Sequence, residues 1–527
     1  MSAANMSNRH IAIGIVLAIV LLGFAFRLPR LAQRPMHTDE AVQAVKAGEL
    51  AATGHYIYDP NDFHGPTLPY LSLPSIWLHA RGDSVRATAV TYRIVPFIFG
   101  LGLILLMIAV EDGLGWRAVM VAAGFTAISP AMTYYSRYYI HETLLVFFSF
   151  LCIAAGWRYV VTKKTRWAVA CGVSLGLMHA TKETCILAFA SFAAALVLTV
   201  RIERHDGGGK AKLSELLKSK PILLAAGAGL AVSITLFSSF FTNLRGPVDS
   251  LLTYATYLAR AGGNEHTHPP HYYFKLLLYN RQGSAPIWSE AIIVVLAIAG
   301  GIAAFSKRSE TDDDPRLVRF LAFYTLILAI VYSAIPYKTP WNMLSFFHGM
   351  ILLAGVGTVS CIKWMPNMPT RVAAGILIAA ASIQLTFQTR RTNDRFQIDR
   401  RNPYVYAHAG RDVVRLAKRI EGISGNHPDG YKMFIRFVTT DPWPMPWYLR
   451  AFEQVGYWSE VPDEIDAPII VFSPEHQEVI DQRKKNDYQQ EIYGLRPTVH
   501  LMVYIRKDLW NEFIKSITPR ERRPTNE

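Results

Sequence analysis

The sequence predicts a mainly α, polytopic membrane protein of about eleven transmembrane helices, followed by a small C-terminal α/β domain. Three observations lead there. Hydrophobic residues make up 51% of the 527-residue chain. They gather in long apolar runs rather than along amphipathic periods, as ~30 Å of hydrocarbon demands at ~1.5 Å per helical residue. After about residue 388 the runs stop and short strand-like segments begin.

The candidate spans are 11–26, 94–110, 117–132, 143–157, 167–180, 185–200, 221–241, 288–306, 319–335, 343–361 and 372–387. The first has the length and charge of a signal-peptide core, with Gly23-Phe24-Ala25 loosely like a cleavage site. Ten further spans follow, so it reads as a retained anchor.

A net charge of +14 would point to nucleic acid in a soluble protein. Here much of it records topology, the bilayer is the partner, and no nucleic acid is expected. With the N-terminus inside, the cytoplasmic segments hold Arg9, Arg117, Arg158, Lys163, Lys164, Arg166, Arg201, Arg204, Lys210, Lys212, Lys218 and Lys220. Lys307, Arg308, Arg316, Arg319, Lys363 and Arg371 continue the set. The short outer loops hold only Arg137, Lys182, Arg245, Arg260, Lys275, Arg281 and Lys338. The positive-inside rule then places the N-terminus in the cytoplasm and the C-terminal domain outside a plasma (inner) membrane. Cys152, Cys171, Cys185 and Cys361 all fall inside spans, which leaves no disulfide framework for the outer regions.

The expected domains are a membrane part over 1–387, with an outer loop at 28–92, and a soluble extracytoplasmic part over 388–527. In the outer loop, Ala41, Val42, Ala44, Val45, Ala47 and Leu50 mark a short helix. The apolar stretch 68–78 is too short to span and suits an interfacial or re-entrant segment. The basic, Gly-rich segment 201–220 reads as a cytoplasmic linker. Its Gly207-Gly208-Gly209 lacks the strand before and the Lys-Ser/Thr after that a phosphate loop needs. Outer segment 242–287 holds a helix over Val248–Arg260, then a histidine-rich stretch. In the last part, 433–439, 468–472 and 499–505 read as strands, and 404–420 and 475–485 as helices.

The polar residues able to do chemistry fall on one side. His37-Thr38-Asp39-Glu40, Tyr58-Asp59-Pro60, Asp62-Phe63-His64-Gly65-Pro66, Ser136-Arg137, His141-Glu142, His179, Lys182-Glu183 and Tyr337-Lys338-Thr339-Pro340-Trp341-Asn342 all lie at outer ends of spans. Ionisable residues beside spans are costly and usually mark a site. Blander readings stand beside this one. Thr38 can cap a helix whose first turn holds Asp39 and Glu40, and the pairs Lys182-Glu183 and His141-Glu142 can be interfacial residues reaching for water. His266, His268 and His271 have a spacing open to a metal, but two prolines argue for an irregular loop. The outer tyrosines and Trp341 suit an aromatic belt as well as a sugar.

Taken together, Asp39-Glu40 soon after the first span, the interfacial segment and the ordered motifs resemble the GT-C-fold membrane glycosyltransferases. The chain is similar to protein O-mannosyltransferases and lipid A aminoarabinose transferases. More narrowly, it resembles a prokaryotic subgroup of flippase-associated proteins of N-glycosylation. The resemblance covers about residues 10–390 and implies inverting transfer of a sugar from a polyprenyl-phosphate donor to an extracytoplasmic glycan, lipid or protein acceptor. It implies Asp39 as the catalytic carboxylate, with Glu40 its neighbour. His64, Arg137, Glu142, Lys182, Glu183, Tyr337, Lys338 and Trp341 are then the expected substrate and lipid-phosphate contacts. No cofactor is implied with certainty, and a divalent metal stays an option.

That chemistry suits the residues. An attacking hydroxyl needs a base, and a departing lipid phosphate needs cations at headgroup level, for which Arg137, Lys182 and Lys338 are the candidates. The alternative is a non-enzymatic transporter, flippase or accessory protein for lipid-linked sugars. A transporter needs charges deep in several spans, whereas the polar residues here lie mainly at outer ends.

Overall fold

A computed structural model describes residues 3–61, 64–206, 219–261, 266–306 and 313–518. Asp62, Phe63, the Gly207–Gly209 run, and basic residues Lys210, Lys212, Lys218, Lys307 and Arg308 lie outside the described residues. The chain divides into two compact units. One comprises Met1–Leu31, Lys46–Asp83 and Ala87–Tyr406; the other comprises Ala32–Val45, Ser84–Arg86 and Ala407–Glu527. The division thus falls later than residue 388, and a piece of the first outer loop clusters with the C-terminal residues.

In the first unit a helix meets every expected span: Ala3–Arg27, Ala89–Leu106, Trp116–Ile128, Glu142–Thr162, Thr165–His179, Cys185–His205, Lys220–Phe237, Ala291–Ala303, Pro315–Ala334, Leu344–Trp364 and Met368–Asn393. Among the described residues eight are long and apolar enough to cross a membrane. The helices Trp116–Ile128, Thr165–His179 and Ala291–Ala303 have 13, 15 and 13 residues. At ~1.5 Å per residue they reach roughly 20 Å, short of a full crossing.

Helix Leu344–Trp364 is the centre, with 83% of its apolar window buried, against 6% for Lys220–Phe237 and 17% for Met368–Asn393. The latter two expose Leu223, Leu230, Ile376 and Leu377, as helices facing lipid rather than water should. Two helix pairs meet backbone to backbone. A Cβ on Gly300 would lie 2.0 Å from Leu353 O, and one on Gly357 1.9 Å from Leu296 O. Likewise, a Cβ on Gly172 would lie 1.9 Å from Ala225 O, and one on Gly176 2.4 Å from Gly229 O. Such approach is open only to residues without a side chain.

The apolar stretch 68–78 is helical, within Thr67–Ala80, and exposes Trp77 and Leu78. The expected helix near 248–260 runs over Gly246–Ala261.

The second unit carries five strands: β1 Ile435–Val438, β2 Val455–Trp458, β3 Ile469–Phe472, β4 Tyr488–Arg496 and β5 Val499–Arg506. Their order is β2-β1-β3-β5-β4. β1 pairs parallel with β2 and β3, while β5 runs antiparallel to β3 and β4. Alternate residues feed two cores. Ile469, Val471, Leu501 and Val503 pack with Val413, Leu416 and Ile420 of helix Arg411–Ser424. Ile470, Phe472, Met502 and Tyr504 face the other way, with Ile480. The helix expected over 404–420 starts only at Arg411, and the one over 475–485 is confined to Gln477–Arg483.

Candidate active site

In the first unit, two loops are stitched together by their backbones. Gly65 N–H donates to Thr181 O (3.1 Å) and Thr67 N–H to Ala180 O (3.0 Å), while Thr67 Oγ1 donates to Ala180 O at 2.6 Å. A Cβ on Gly65 would lie 2.1 Å from Ala180 O, so glycine is required there. The preceding His64 is left-handed, φ +70°, a strain that persists where surroundings over-determine it.

Those surroundings include Glu183, which is buried. Its Oε1 accepts from His64 N–H (3.0 Å) and Tyr58 OH (3.2 Å), and its Oε2 pairs with His64 Nδ1 at 2.9 Å. Burial alone would push the Glu183 carboxyl up. The His64 charge and hydrogen bond, a backbone donor and Lys182 outweigh it and hold the group at about 2. Next to it, Lys182 Nζ is paired with Glu142, both buried. Burial pulls the Lys182 ammonium down, but Glu142 more than offsets this and leaves it raised.

His141 stacks edge-on against His64, centroids 4.8 Å apart, and its Nε2 lies 3.3 Å from Gly65 O. Burial, with His64 and Lys182 nearby, pushes the imidazole well down. The neutral ring therefore carries its proton on Nε2, because a carbonyl can only accept. Its buried Nδ1 is then an acceptor with no partner among the described residues.

A second group forms where residues 266–268 bridge to 336–338. Lys338 N–H donates to His266 O (3.0 Å) and His268 N–H to Pro336 O (3.1 Å). The Lys338 ammonium donates to His268 O at 3.0 Å and also to Ile335 O. Tyr337 is edge-on to the ring of His266, and Trp341 sits among Tyr135, Tyr138 and Tyr406. Arg137 donates to Asn393 O (3.1 Å) and Pro29 O (2.6 Å).

In the second unit, Asp39 and Glu40 have different surroundings. Glu40 is fully buried; Oε1 receives Arg34 at 3.2 Å and Oε2 receives the His37 N–H at 3.0 Å. This is the reciprocal bond of a capping box, with Glu40 at the third position of helix Thr38–Thr53. The cap itself is His37, whose Nδ1 accepts the Asp39 N–H at 3.1 Å, so Thr38 is not the cap. Asp39 remains 47% exposed.

The structure therefore brings His64, Glu142, Lys182 and Glu183 together. It groups Tyr337, Lys338 and Trp341 separately and ties Arg137 to two carbonyls. Tyr58 and His141 join the first group. Both stood in the motifs, and their place beside His64 and Glu142 was the available signal. His37 stood in the Asp39 motif as well; Arg34 and Arg496, which lie by the same turn, carried no such signal. Among the described residues no group of three or more His, Cys, Asp or Glu is arranged to hold a metal ion. His266 and His268 lie against Tyr406 and Tyr272 instead.

The family model for dolichyl-phosphate-mannose-protein mannosyltransferase matches residues 77–207. No curated protein sequence matches the chain. Among solved structures, ArnT from Cupriavidus metallidurans bound to undecaprenyl phosphate is 14% identical, with 94% of this chain and 99% of that one covered and a TM-score of 0.64. Its apo form gives 0.61 at 14% identity over 96% and 99%. The oligosaccharyltransferase AglB from Archaeoglobus fulgidus, in complex with an inhibitory peptide and a dolichol-phosphate, is 11% identical over 96% of this chain and 77% of that one, at 0.53. The narrower likeness to flippase-associated proteins is not shown by these matches. The chain therefore shares the fold of the ArnT and AglB structures over 94–96% of its length, while the mannosyltransferase family model matches residues 77–207.

Proposed function

We propose that the chain is an inverting glycosyltransferase that moves a sugar from a polyprenyl-phosphate donor to a hydroxyl on an extracytoplasmic glycan, lipid or protein. The carrying observation is the division of labour in the first outer loop. Glu40 is spent on Arg34 and the helix cap, whereas Asp39 keeps an exposed carboxylate. The fold supports the donor class, since the ArnT and AglB structures hold undecaprenyl phosphate and dolichol-phosphate.

Asp39 takes the proton of the acceptor hydroxyl as that oxygen attacks the anomeric carbon. The bond from the anomeric carbon to phosphate oxygen breaks, and polyprenyl phosphate leaves with the electron pair. A single displacement inverts the anomeric configuration. The leaving phosphate gains negative charge and needs cations. Lys338 is bonded to neutral carbonyls, which leave its charge to a ligand even as burial pulls the ammonium down, whereas the charge of Lys182 is offset by Glu142. Arg137 supplements Lys338. His64, steadied by Glu183, and the Tyr337–Trp341 aromatic group contact the sugar. The donor's tail keeps the reaction at the membrane surface, on the side where few basic residues gather.

The test is incubation of purified protein with a panel of polyprenyl-phosphate sugars, following release of polyprenyl phosphate, with lipid flipping measured separately. Release from at least one donor, abolished by Asp39→Asn, is expected. Flipping without release, or full turnover by Asp39→Asn, overturns the reading.

A further inference from the structure

Four strands of the C-terminal sheet, β1 to β4, run the same way, and only β5 opposes them. The residues that follow β1 and β3, and the last residue of β4, therefore gather at one edge. They are Thr439 and Asp441, Ser473, and Arg496. Ser473 Oγ donates to Thr439 Oγ1 at 2.8 Å, Asp441 N–H donates to Thr439 Oγ1 at 3.2 Å, and Arg496 is ion-paired with Asp441. In the order β2-β1-β3, the chain leaves β1 first to one side and then to the other. Open α/β sheets bind ligands outside the carboxyl ends of strands at such a reversal.

At this edge the sheet holds a piece of its own chain. Arg496 donates to Thr38 Oγ1 at 3.1 Å, across 458 residues of sequence. The Tyr448 hydroxyl accepts the Met36 N–H at 2.9 Å, and the His37 ring meets that of His408 with centroids 5.1 Å apart. Arg450 donates to Ser84 O at 3.1 Å and Val85 O at 3.2 Å. Thus Met36, His37 and Thr38, the three residues before Asp39, are each gripped by a residue from beyond 407. Burial pulls the Arg496 guanidinium down while the Asp39 carboxylate pushes it back up, which places the two charges within reach.

We infer that Arg496 is a positioning residue for Asp39, holding the Thr38–Asp39 turn on the carboxyl edge of the C-terminal sheet. The inference rests on the proposed role of Asp39 as base. It gives the C-terminal domain a function in the transfer step. A guanidinium suits the task because its rigid fork serves the Asp441 carboxylate and the Thr38 hydroxyl at once, which an ammonium does in no fixed geometry.

The experiment uses the full-length protein and the same panel of polyprenyl-phosphate sugars. Arg496→Ala is expected to lower kcat about a hundredfold, the scale of a ~1 Å misplacement, with donor Kd unchanged. Added guanidinium at millimolar concentration should restore part of that loss, and Arg496→Lys should fall between. Thr38→Val leaves the Arg496–Asp441 pair intact and should lower kcat in the same direction, which keeps the test decisive if Arg496→Ala does not fold. Parent-like kcat in Thr38→Val and in any folded Arg496→Ala, or a loss in Arg496→Ala that guanidinium does not touch, overturns the inference. Asp39→Asn is run alongside. If it turns over normally, the base assignment fails; if it is dead while the Arg496 and Thr38 variants are normal, only the positioning role fails.

Discussion

Glu183 holds His64 at two points, taking the backbone N–H on one carboxylate oxygen and the imidazole Nδ1 on the other. That double contact fixes both the backbone and the ring of a residue in a left-handed conformation.

The grip has a pH signature. The Glu183 carboxyl is depressed from 4.5 to about 2. An unfolded chain therefore takes up this proton before the native one does, and falling pH drains native stability. The contribution is complete above about 4.5 and gone once pH has passed through about 2. Over that window the parent should lose roughly 3 kcal/mol more stability than Glu183→Gln. Unfolding curves at stepped pH in detergent check this, and parallel profiles for the two proteins would count against it.

The Lys182–Glu142 pair predicts non-additivity. Lys182→Met strands a buried carboxylate and should cost about 3–5 kcal/mol. Adding Glu142→Gln should recover most of that loss, because the stranded charge is gone. A double-mutant cycle by chemical unfolding measures the coupling. Equal stability for the single and double variants would show that the pair is weakly coupled.

Lys338 separates charge from architecture. Lys338→Gln retains an amide donor for a carbonyl but removes the positive charge. Donor affinity should drop about ten- to a hundredfold, the scale of a charge-assisted contact in a poorly hydrated setting, while acceptor binding stays constant. Parent-like affinity for every polyprenyl-phosphate sugar in the panel would move the phosphate elsewhere.

Orientation is tested by reporter fusions. The basic cluster Arg158, Lys163, Lys164 and Arg166 should be cytoplasmic. A reporter after residue 164 and one at residue 430 should therefore signal opposite sides. The same side for both would invert the assignment of the outer motifs.

Much of this architecture was legible because a membrane span writes itself as one long apolar run. Each such run met a helix, although three proved shorter than a crossing. In the C-terminal unit, β1, β3 and β5 were legible for a related reason: they are mostly buried and mostly apolar, β3 wholly so and β1 broken only by Arg436. β2 and β4 went unread because they are the two edges. β4 mixes Gln489, Gln490 and Glu491 into its sequence, as edge strands do to discourage further pairing. Lys182-Glu183 and His64 were legible as motifs on one side of the membrane, but that Glu183 holds His64 was not. Nor were the surroundings of Asp39, because Arg496 reaches it only through the folded sheet.

The glycine contacts between helices bear on how the protein answers to its solvent. In a bilayer an apolar side chain gains little by leaving lipid for a neighbouring helix. The pairs Ala291–Ala303 with Leu344–Trp364, and Thr165–His179 with Lys220–Phe237, meet through main-chain atoms at Gly300, Gly357, Gly172 and Gly176. Their cohesion comes from dispersion and Cα–H···O contacts at short range, which lipid or detergent tails cannot enter or imitate. These two pairs therefore keep their geometry whatever amphiphile surrounds the protein. Helix Met368–Asn393 also turns most of its surface outward, but a Cβ on its Gly375 would meet no described atom within 4 Å, and it registers the change of amphiphile instead.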